Sequence, residues 1–262
     1  MTSLAEKAQL LGTLHVPGKP LILVNVWDAI TARTVASAPG VKALATASHS
    51  ISAAHDVADG GGLGLEAALN SAKLIIDAVD LPVTVDFEKG YGSNPSEVQS
   101  SVTKLLEVGA AGFNIEDSPG SISDGQFEVQ EAASRVAASR KATELVGVPA
   151  VINARVDSFL ANGDWSEART RANSYLDAGA DVIFMFGLDN EEKVERAVRE
   201  IEGKVSVIAG PRSVPLKRLA ELGVCRVSFG GRPLGLTLSH LKDAASTLTA
   251  LAEYPSELGF DY

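Results

Sequence analysis

Short apolar runs alternate with longer amphipathic segments along the chain, and this alternation constrains the fold more than any other feature. The runs are rich in Val, Ile, Leu and Ala with little polar alternation, which is typical of parallel strands buried on both faces. The segments between them place apolar residues at helical spacing. The pattern therefore predicts eight strands: Leu21–Val26, Val41–Ala45, Val83–Phe87, Gly112–Ile115, Ala150–Ala154, Asp181–Phe186, Val205–Ala209 and Cys225–Phe229.

The predicted helices connect these strands. Asn94 before Pro95, and Ser213 before Val214, are expected helix caps. Glycine at Gly109 and Gly179 suits the left-handed residue that often ends a helix. The predicted helices are Leu65–Val79, Pro95–Val108, Phe127–Val146, Trp165–Ala178, Asn190–Ile201, Val214–Leu222 and Leu234–Ala252.

Eight β/α units in 262 residues match one (β/α)₈ TIM barrel, which takes about 250 residues. A doubly wound sheet is the competing architecture, but no glycine-rich dinucleotide motif follows the first predicted strand. The glycine-rich segment 60–64 follows the second strand with the wrong spacing, so we interpret it as a flexible loop. No linker divides the chain, and we predict a single α/β barrel domain over residues 1–262.

Composition narrows the function classes. The chain carries a net charge of −10 with no Lys/Arg cluster, which argues against nucleic-acid or anionic-membrane partners. Its single cysteine, Cys225, excludes an intramolecular disulfide and a multi-cysteine zinc site. The first residues do not resemble a signal peptide, and no apolar stretch is long enough to span a membrane. We therefore expect a soluble cytoplasmic protein in which Cys225 is an inert core residue.

Acidic side chains follow two neighbouring predicted strands. Asp86 and Glu88 end the third strand, and Glu116 ends the fourth. Functional residues of barrels gather at the carboxyl ends of the strands. Three converging carboxylates need a cation, and oxygen ligands suit Mg²⁺, with Mn²⁺ as the alternative. We predict a metal site at these three residues; the structural alternative is an ion-pair network with Arg155 and Lys89.

Other polar residues at strand ends are candidates for substrate binding. The planar fork of Arg155 suits an anionic group. Ser48, His49 and Ser50 offer hydroxyl or backbone N–H groups to a carboxylate, and His49 is also a candidate acid or base. Trp27 either lines the substrate site or packs in the core.

The loops after the seventh and eighth strands support a different enzyme hypothesis. They read Ala209-Gly210-Pro211-Arg212-Ser213 and Phe229-Gly230-Gly231-Arg232-Pro233, and these two loops commonly form a phosphate site in barrels. A phosphorylated-sugar isomerase or aldolase would use them but would leave the three acids unexplained. A non-enzymatic barrel that binds a carboxylate metabolite is the third alternative.

The chain resembles the isocitrate lyase/phosphoenolpyruvate mutase superfamily, and most of all its bacterial branch named phosphoenolpyruvate mutase-like or carboxyvinyl-carboxyphosphonate phosphorylmutase-like. The matching motifs occur in order from about residue 20 to about residue 235. They are Asn25-Val26-Trp27-Asp28-Ala29, Ser48 with its loop, Asp86-Phe87-Glu88-Lys89-Gly90-Tyr91-Gly92, the segment 109–117 ending Asn114-Ile115-Glu116-Asp117, and Asn153-Ala154-Arg155-Val156-Asp157.

The resemblance implies a role for each candidate. Asp86 would ligate Mg²⁺ directly, while Glu88 and Glu116 would hold the ion through waters. Trp27, Ser48 and the backbone of His49 and Ser50 would hold the substrate carboxylate and carbonyl, together with Asp86. Arg155 would clamp the anionic end or stabilise developing charge. Asp59 would match an acidic active-site residue, and with Arg155 and Glu116 it completes the implied catalytic set. A homo-oligomer, as a dimer or tetramer, is also implied, with the final helix exchanged or packed between subunits.

Two departures from the superfamily restrict the activity. Citrate-type lyases carry a Lys-Lys-Cys-Gly-His loop after the fourth strand, where this chain reads Ser118-Pro119-Gly120-Ser121-Ile122-Ser123-Asp124-Gly125. Mutases carry a histidine after the sixth strand, where this chain reads Met185-Phe186-Gly187, and their gating segment has a lysine and an asparagine that are missing here. Both departures argue against cleavage of isocitrate by a cysteine acid and against phosphonomutase chemistry.

Taken together, these features predict a Mg²⁺-dependent lyase or hydrolase that cleaves a C–C or P–C bond of a small 2-oxo acid or related carboxylate through a pyruvate-type enolate. The alternatives are phosphonomutase-type phosphoryl transfer, a 2-methylisocitrate-type lyase with a non-cysteine acid, the phosphate-binding barrel, and the metabolite-binding protein.

Overall fold

Parallel pairing runs through every strand of the sheet, as the continuous apolar runs predict. The computed structural model describes residues 2–260. Its strands form one nearly closed barrel surrounded by helices, in the order β1-β9-β8-β7-β6-β5-β4-β3-β2. The strands are β1 Leu21–Leu23, β2 Asn25–Val26, β3 Leu44–Thr46, β4 Val83–Asp86, β5 Gly112–Glu116, β6 Val151–Val156, β7 Val182–Met185, β8 Lys204–Ile208 and β9 Arg226–Ser228.

The first predicted strand is divided in two at Val24. Its first half, β1, pairs with β9, and its second half, β2, pairs with β3. The side chain of Asn25 spans the junction: its Nδ2 donates to the Thr46 carbonyl at 2.8 Å, and its Oδ1 accepts the N–H of Phe229 and of Gly230 at 2.8 and 2.9 Å. The divided strand therefore joins the two ends of the sheet, and the predicted eight-unit TIM barrel is confirmed.

The helices lie around the barrel close to their predicted bounds. Each α-helix predicted from the sequence is present, while α1, α2, α3 and α7 have no predicted counterpart. The α-helices are α1 Leu4–Leu14, α2 Ala29–Ala36, α3 Ser48–Ala54, α4 Leu65–Asp77, α5 Pro95–Glu107, α6 Val129–Val146, α7 Ser158–Asn162, α8 Trp165–Asp177, α9 Glu191–Glu200, α10 Leu216–Glu221 and α11 Arg232–Thr249, with 3₁₀ turns at Ile122–Asp124 and Ser256–Gly259.

Two boundary predictions need correction. The second predicted strand starts late, at Leu44, because Val41 N–H donates back to Ala38 in a turn and pairing with β4 begins only at Leu44. Ser213 does not cap α10, because this helix begins at Leu216, two residues after its predicted start at Val214, and Pro215 precedes it. The Ser213 hydroxyl instead accepts the N–H of Gly210 at 2.9 Å. The Asn94 cap is confirmed, since its side chain accepts the Glu97 N–H at 3.1 Å.

Helix α1 covers the amino-terminal end of the barrel, which we call the floor. Leu11 is fully buried there, and its Cδ2 would lie 2.8 Å from a Cβ added at Gly112, the first residue of β5. His15 and Cys225 are buried at the same end. Burial, aided by the positive charge of Arg226, lowers the pKa of His15 to about 3, and burial raises the pKa of Cys225 to about 12. Both floor groups are therefore uncharged at neutral pH.

Helix α11 leaves its apolar side chains exposed. None of its residues is buried, and Leu236, Leu238 and Leu241 are 62%, 53% and 64% exposed. A row of exposed leucines on one helix is unusual for a surface in contact with water.

Across residues 2–260, no helix combines the length and the apolar character that crossing a membrane requires.

Candidate active site

Asp86 is the best-anchored carboxylate at the opposite end of the barrel, which we call the rim. It is the last residue of β4, where it lies opposite Asn114 of β5. Its Oδ2 accepts the N–H and the hydroxyl of Ser48 at 3.1 and 2.9 Å, and its Oδ1 accepts from Asn114 Nδ2 at 3.3 Å. Its own N–H donates to Thr46 Oγ1 at 2.9 Å. Groups from the two neighbouring strands, β3 and β5, and from the start of α3 thus fix the position of this residue.

Glu88 has a buried oxygen without a partner. The chain turns at this residue with φ +48°, and its side chain is almost fully buried. Oε1 accepts the Tyr91 hydroxyl at 2.9 Å, whereas Oε2 has no hydrogen-bond partner among the described residues. Burial raises the pKa of Glu88 to about 7, and the negative charges of Asp86 and Asp59 add to that effect. An ionised Glu88 therefore requires a positive charge at Oε2.

Glu116 and Arg155 form the third part of the site. They face each other on β5 and β6, and Glu116 Oε2 lies 2.5 Å from Arg155 Nη1. Arg155 Nε also contacts Asp157 Oδ1 at 2.7 Å, and its guanidinium stacks 3.9 Å above the Phe186 ring centroid. Burial raises the pKa of Glu116 well above its ordinary value against the pull of Arg155, and the charges of Asp157, Asp86 and Glu88 raise it further. The three predicted acids thus interact electrostatically at one rim.

The structural alternative from the sequence is partly present. Arg155 pairs with Glu116 and Asp157, as an ion-pair network requires, but Lys89 donates to the Pro119 carbonyl instead of to an acid. Arg155 pairs with two of the acids, whereas within residues 2–260 neither Asp86 nor Glu88 forms an ion pair.

The oxygen-only donor set and the unpartnered Glu88 Oε2 fit a hard divalent cation. Within residues 2–260, no three His, Cys, Asp or Glu side chains converge closely enough to ligate one ion as they stand. The fit therefore rests on Asp86 as the anchored carboxylate, with Glu88 and Glu116 beside it. The role of the two glutamates as metal ligands through waters stays a prediction.

Of the predicted substrate residues, Ser48 contacts one of these carboxylates directly. Ser48, His49 and Ser50 form the first turn of α3. Ser48 contacts Asp86, while the Ser50 N–H donates to the Ala47 carbonyl at 3.1 Å and is therefore engaged. Trp27 is half-buried after β2, so one part of its ring packs and another part is accessible.

Asp59 lies in the loop after α3 and pairs loosely with His49, whose Nδ1 is 3.7 Å from Asp59 Oδ2. His49 also reaches the β9 loop, because a Cβ added at Gly231 would lie 2.6 Å from its Cδ2. His49 thus lies between Asp59 and the loop after β9, and the catalytic role implied for Asp59 stays a prediction.

The glycine-rich segment 60–64, which we predicted to be a flexible loop, packs over the acids. A Cβ added at Gly61 would lie 3.3 Å from Lys89 Nζ and 3.6 Å from Glu88 Oε2, and one added at Gly60 would lie 3.1 Å from the Gly120 backbone. Both glycines have positive φ, 84° and 101° for Gly60 and Gly61. Glycine is needed here because the backbone approaches other groups too closely for a side chain.

A buried polar network under Asp86 was not among the predicted site residues. Asn114 Oδ1 accepts from Asn153 Nδ2 at 2.8 Å and from Arg226 Nη2 at 3.1 Å, and Ser206 Oγ donates to Asn153 Oδ1 at 2.9 Å. The signal was available in the sequence, because asparagine and arginine inside predicted buried strands do not suit an apolar core.

The loops of the phosphate-site hypothesis do enclose a cavity. It has a volume of about 820 Å³ and lies beside the rim at β8 and β9. Arg212 and Arg232 supply its positive charges, while Asp189 is paired with Lys193 at 2.9 Å. Its lining residues are Asp189, Asn190, Gly210, Pro211, Arg212, Ser213 and Arg232.

Comparison with known proteins identifies the family. A family model described as phosphoenolpyruvate phosphomutase matches residues 11–249. Oxaloacetate decarboxylase from Pseudomonas entomophila is 31% identical over 220 residues, which cover 76% of this chain and 70% of that protein. A crystal structure from Burkholderia cenocepacia J2315, described provisionally as a phosphonomutase, is 35% identical with a TM-score of 0.86 and covers 95% of this chain and 99% of that one.

A more distant crystal structure shares the fold. Phosphonopyruvate hydrolase in complex with oxalate and Mg²⁺ is 21% identical, with a TM-score of 0.84, and covers 98% of this chain and 92% of that one.

Proposed function

The chain belongs to the phosphoenolpyruvate phosphomutase family, and from that premise we propose that it is a Mg²⁺-dependent lyase or hydrolase acting on a small 2-oxo acid. The bond broken is the C–C or P–C bond that joins the carbon beside the carbonyl to the leaving carboxylate or phosphoryl group. The observation that carries the proposal is the buried Glu88 Oε2, which has no described partner and lies in the same group of acids as Asp86 and Glu116.

Asp86, Glu88 and Glu116 would hold the ion. When bound, Mg²⁺ would supply positive charge to the carbonyl and carboxylate oxygens of the substrate. Asp86 suits direct ligation because Ser48 and Asn114 already hold its carboxylate in one orientation. Glu88 would gain the cation partner that its Oε2 lacks.

Arg155 would bind the anionic substrate. Its guanidinium is held by Glu116, Asp157 and the Phe186 ring, so it is oriented before substrate arrives. When the bond between the carbon beside the carbonyl and the leaving group breaks, its electron pair stays on that carbon and delocalises onto the carbonyl oxygen, which gives a pyruvate-type enolate. A positively charged guanidinium that is already fixed near the enolate oxygen would stabilise the negative charge that develops there.

The loop that carries the proton-donating cysteine in citrate-type lyases supports a simpler reaction here. Its polar groups bond one another: Ser121 Oγ lies 2.6 Å from Ser123 Oγ, and Asp124 Oδ2 accepts the Ser121 N–H at 2.8 Å. Because these groups bond one another, we assign none of them the role of proton donor that the cysteine has in citrate-type lyases. We therefore favour decarboxylation or hydrolysis of a simple 2-oxo acid over isocitrate cleavage. The similarity to oxaloacetate decarboxylase supports this choice.

A second candidate, the phosphate-binding isomerase or aldolase, is favoured only by the cavity that contains Arg212 and Arg232. It leaves the buried acids without a function. Turnover of a sugar phosphate without added metal would favour it over the 2-oxo acid activity.

We also propose that the protein is a homo-oligomer in which α11 packs against another subunit. The exposed Leu236, Leu238 and Leu241 support this assembly, because such a surface is usually covered. Sedimentation of the full chain tests it, and a monomer at micromolar concentration would contradict it.

The deciding experiment is a substrate panel with and without Mg²⁺. Oxaloacetate, phosphonopyruvate, isocitrate and 2-methylisocitrate are assayed for release of pyruvate, glyoxylate or phosphate. We expect Mg²⁺-dependent turnover of oxaloacetate or phosphonopyruvate and negligible isocitrate cleavage. Absence of turnover across the panel would support the metabolite-binding alternative, and turnover that ignores Mg²⁺ would contradict the proposed metal chemistry.

A further inference from the structure

Arg226 is a buried cation with few partners. It is the first residue of β9, and its side chain is 1% exposed inside the barrel. Nη2 donates to Asn114 Oδ1 at 3.1 Å, whereas Nε and Nη1 have no hydrogen-bond partner among residues 2–260. Burial lowers its pKa to about 10, so the guanidinium still carries a proton at neutral pH. Keeping an incompletely bonded charge in a core is costly, and this cost suggests a function.

The contact with Asn114 decides which way that amide faces. A side-chain amide has one accepting end and one donating end, and its two orientations occupy nearly the same space. Because a guanidinium can only donate, Arg226 requires the oxygen of Asn114 to face it. The Nδ2 group is then directed at Asp86, whose Oδ1 accepts it at 3.3 Å.

Asp86 accepts only and so favours the same direction from the other end of the amide, but the remaining members of the network do not impose it by themselves. Ser206 can donate or accept, and the Asn153 amide could turn in concert with that of Asn114. Arg226 is the one donor-only group bonded to the Asn114 and Asn153 amides among the described residues.

We propose that Arg226 is a positioning residue for the metal site, which acts through Asn114 to hold the Asp86 carboxylate in one orientation. This inference rests on the proposed function, in which Asp86 ligates Mg²⁺ directly. Groups that orient a metal ligand without touching the ion typically contribute 10–100-fold to metal affinity.

The test measures Mn²⁺ binding to the full-length protein without substrate, by electron paramagnetic resonance of the free ion. Arg226→Met keeps much of the side-chain volume and removes the charge. We expect its Mn²⁺ Kd to rise about 10-fold or more, while its thermal midpoint stays the same or increases because a buried charge is gone. Arg226→Lys can still donate to Asn114 and should recover part of the affinity.

A parallel variant tests the route of the effect. Asn114→Leu removes the donor to Asp86 and should weaken Mn²⁺ binding to a similar degree. Since both residues act through one hydrogen bond, the double variant should lose little more than either single variant. Full additivity of the two losses would overturn the route through Asn114.

A matched control separates positioning from general stability. Arg140 is also a largely buried arginine, but it bonds Gly179 and Asp181 next to the start of β7, far along the strands from the rim. Arg140→Met should lower the thermal midpoint and leave the Mn²⁺ Kd unchanged.

The outcomes distinguish the two proposals. If wild-type protein does not bind Mn²⁺, or if Asp86→Asn binds it equally well, the proposed metal site fails and this inference fails with it. If Asp86→Asn loses binding while Arg226→Met and Arg226→Lys both bind Mn²⁺ within about twofold of wild type, the metal site stands and the positioning role of Arg226 is overturned.

Discussion

The floor and the rim of the barrel both bury titratable side chains, but His15 and Cys225 at the floor are neutral, whereas Arg155 at the rim is charged. At the floor, His15 and Cys225 are uncharged at neutral pH, because burial lowers the pKa of one to about 3 and raises that of the other to about 12. At the rim, Arg155 is charged between Glu116 and Asp157, and Glu88 keeps an oxygen without a partner.

The difference separates stability from function. A buried charge without a partner costs more than a buried neutral group. At the floor, His15 and Cys225 avoid that cost because both are neutral. The rim retains charge, and its arrangement becomes favourable only when a cation and an anionic substrate complete it. Substitutions at the rim should therefore change catalysis, and substitutions at the floor should change stability or nothing.

Asp86→Ala should have the largest effect. Losing the anchored carboxylate should reduce Mg²⁺-dependent turnover by about 10³-fold or more, since a metal ion supplies several kcal/mol to such a reaction. The fold should remain intact, and stability can even rise because one acid leaves a repulsive group. Steady-state assays with saturating Mg²⁺ measure the loss, and circular dichroism checks the fold. Turnover equal to wild type in this variant would show that the rim carboxylates are not needed for activity and would contradict the division between floor and rim.

Arg155→Lys should have the next largest effect. The ammonium keeps the charge but loses the planar fork, so kcat/KM should fall about 10–100-fold, equivalent to the 1.5–3 kcal/mol of a charged hydrogen bond. Assays across substrate concentration separate KM from kcat. Kinetics equal to wild type would mean that Arg155 serves only as a structural partner of Glu116 and Asp157.

His15 should govern a pH effect at the floor. The pKa of His15 in the folded protein lies below its unfolded value of 6.5. As pH falls below 6.5, His15 therefore becomes protonated in the unfolded chain but stays neutral in the folded protein. Stability is therefore lost as pH falls, by about 2 kcal/mol between pH 7 and pH 5. Urea unfolding at both pH values measures the free energy of unfolding. In His15→Gln, the decrease in this free energy from pH 7 to pH 5 should be smaller by about 2 kcal/mol. Equal losses in the two proteins would show that His15 titrates normally.

Cys225→Ser should have the smallest effect, with no change in activity. Cys225 precedes β9, so about 13 Å of strand separates it from Phe229 at the rim. Proton transfer requires direct contact or one bridging water. The substrate assay tests the prediction, and Cys225→Ala controls for burial of a hydroxyl. A loss of activity in both variants without a loss of stability would contradict the division between floor and rim.

The sequence predicts the barrel well because its strands are buried on both faces and leave a continuous apolar signal. It also locates the rim acids, since Asp86, Glu88 and Glu116 lie at strand ends. It does not predict the unpartnered oxygen of Glu88, because that depends on how the segment 60–64 packs.

Arg226 was missed for a different reason. It lies inside the predicted strand Cys225–Phe229, where the apolar neighbours outweigh it in any hydrophobic pattern. Its partner Asn114 comes from a strand more than a hundred residues earlier. Such a contact depends on the register of the closed barrel, which the local pattern does not contain.

The junction at Asn25 also determines how late in synthesis the barrel can close. Its side chain bonds Gly230 across 205 residues of chain, and within residues 2–260 the sheet partner of β1 is β9 alone. The first strand therefore has no sheet partner while the roughly 200 residues between β1 and β9 are synthesised. Until β9 leaves the ribosome, β1 is an unpaired apolar edge, and contacts of such long sequence separation form slowly. An unpaired apolar strand of this kind is open to aggregation or to capture by a chaperone until β9 is available.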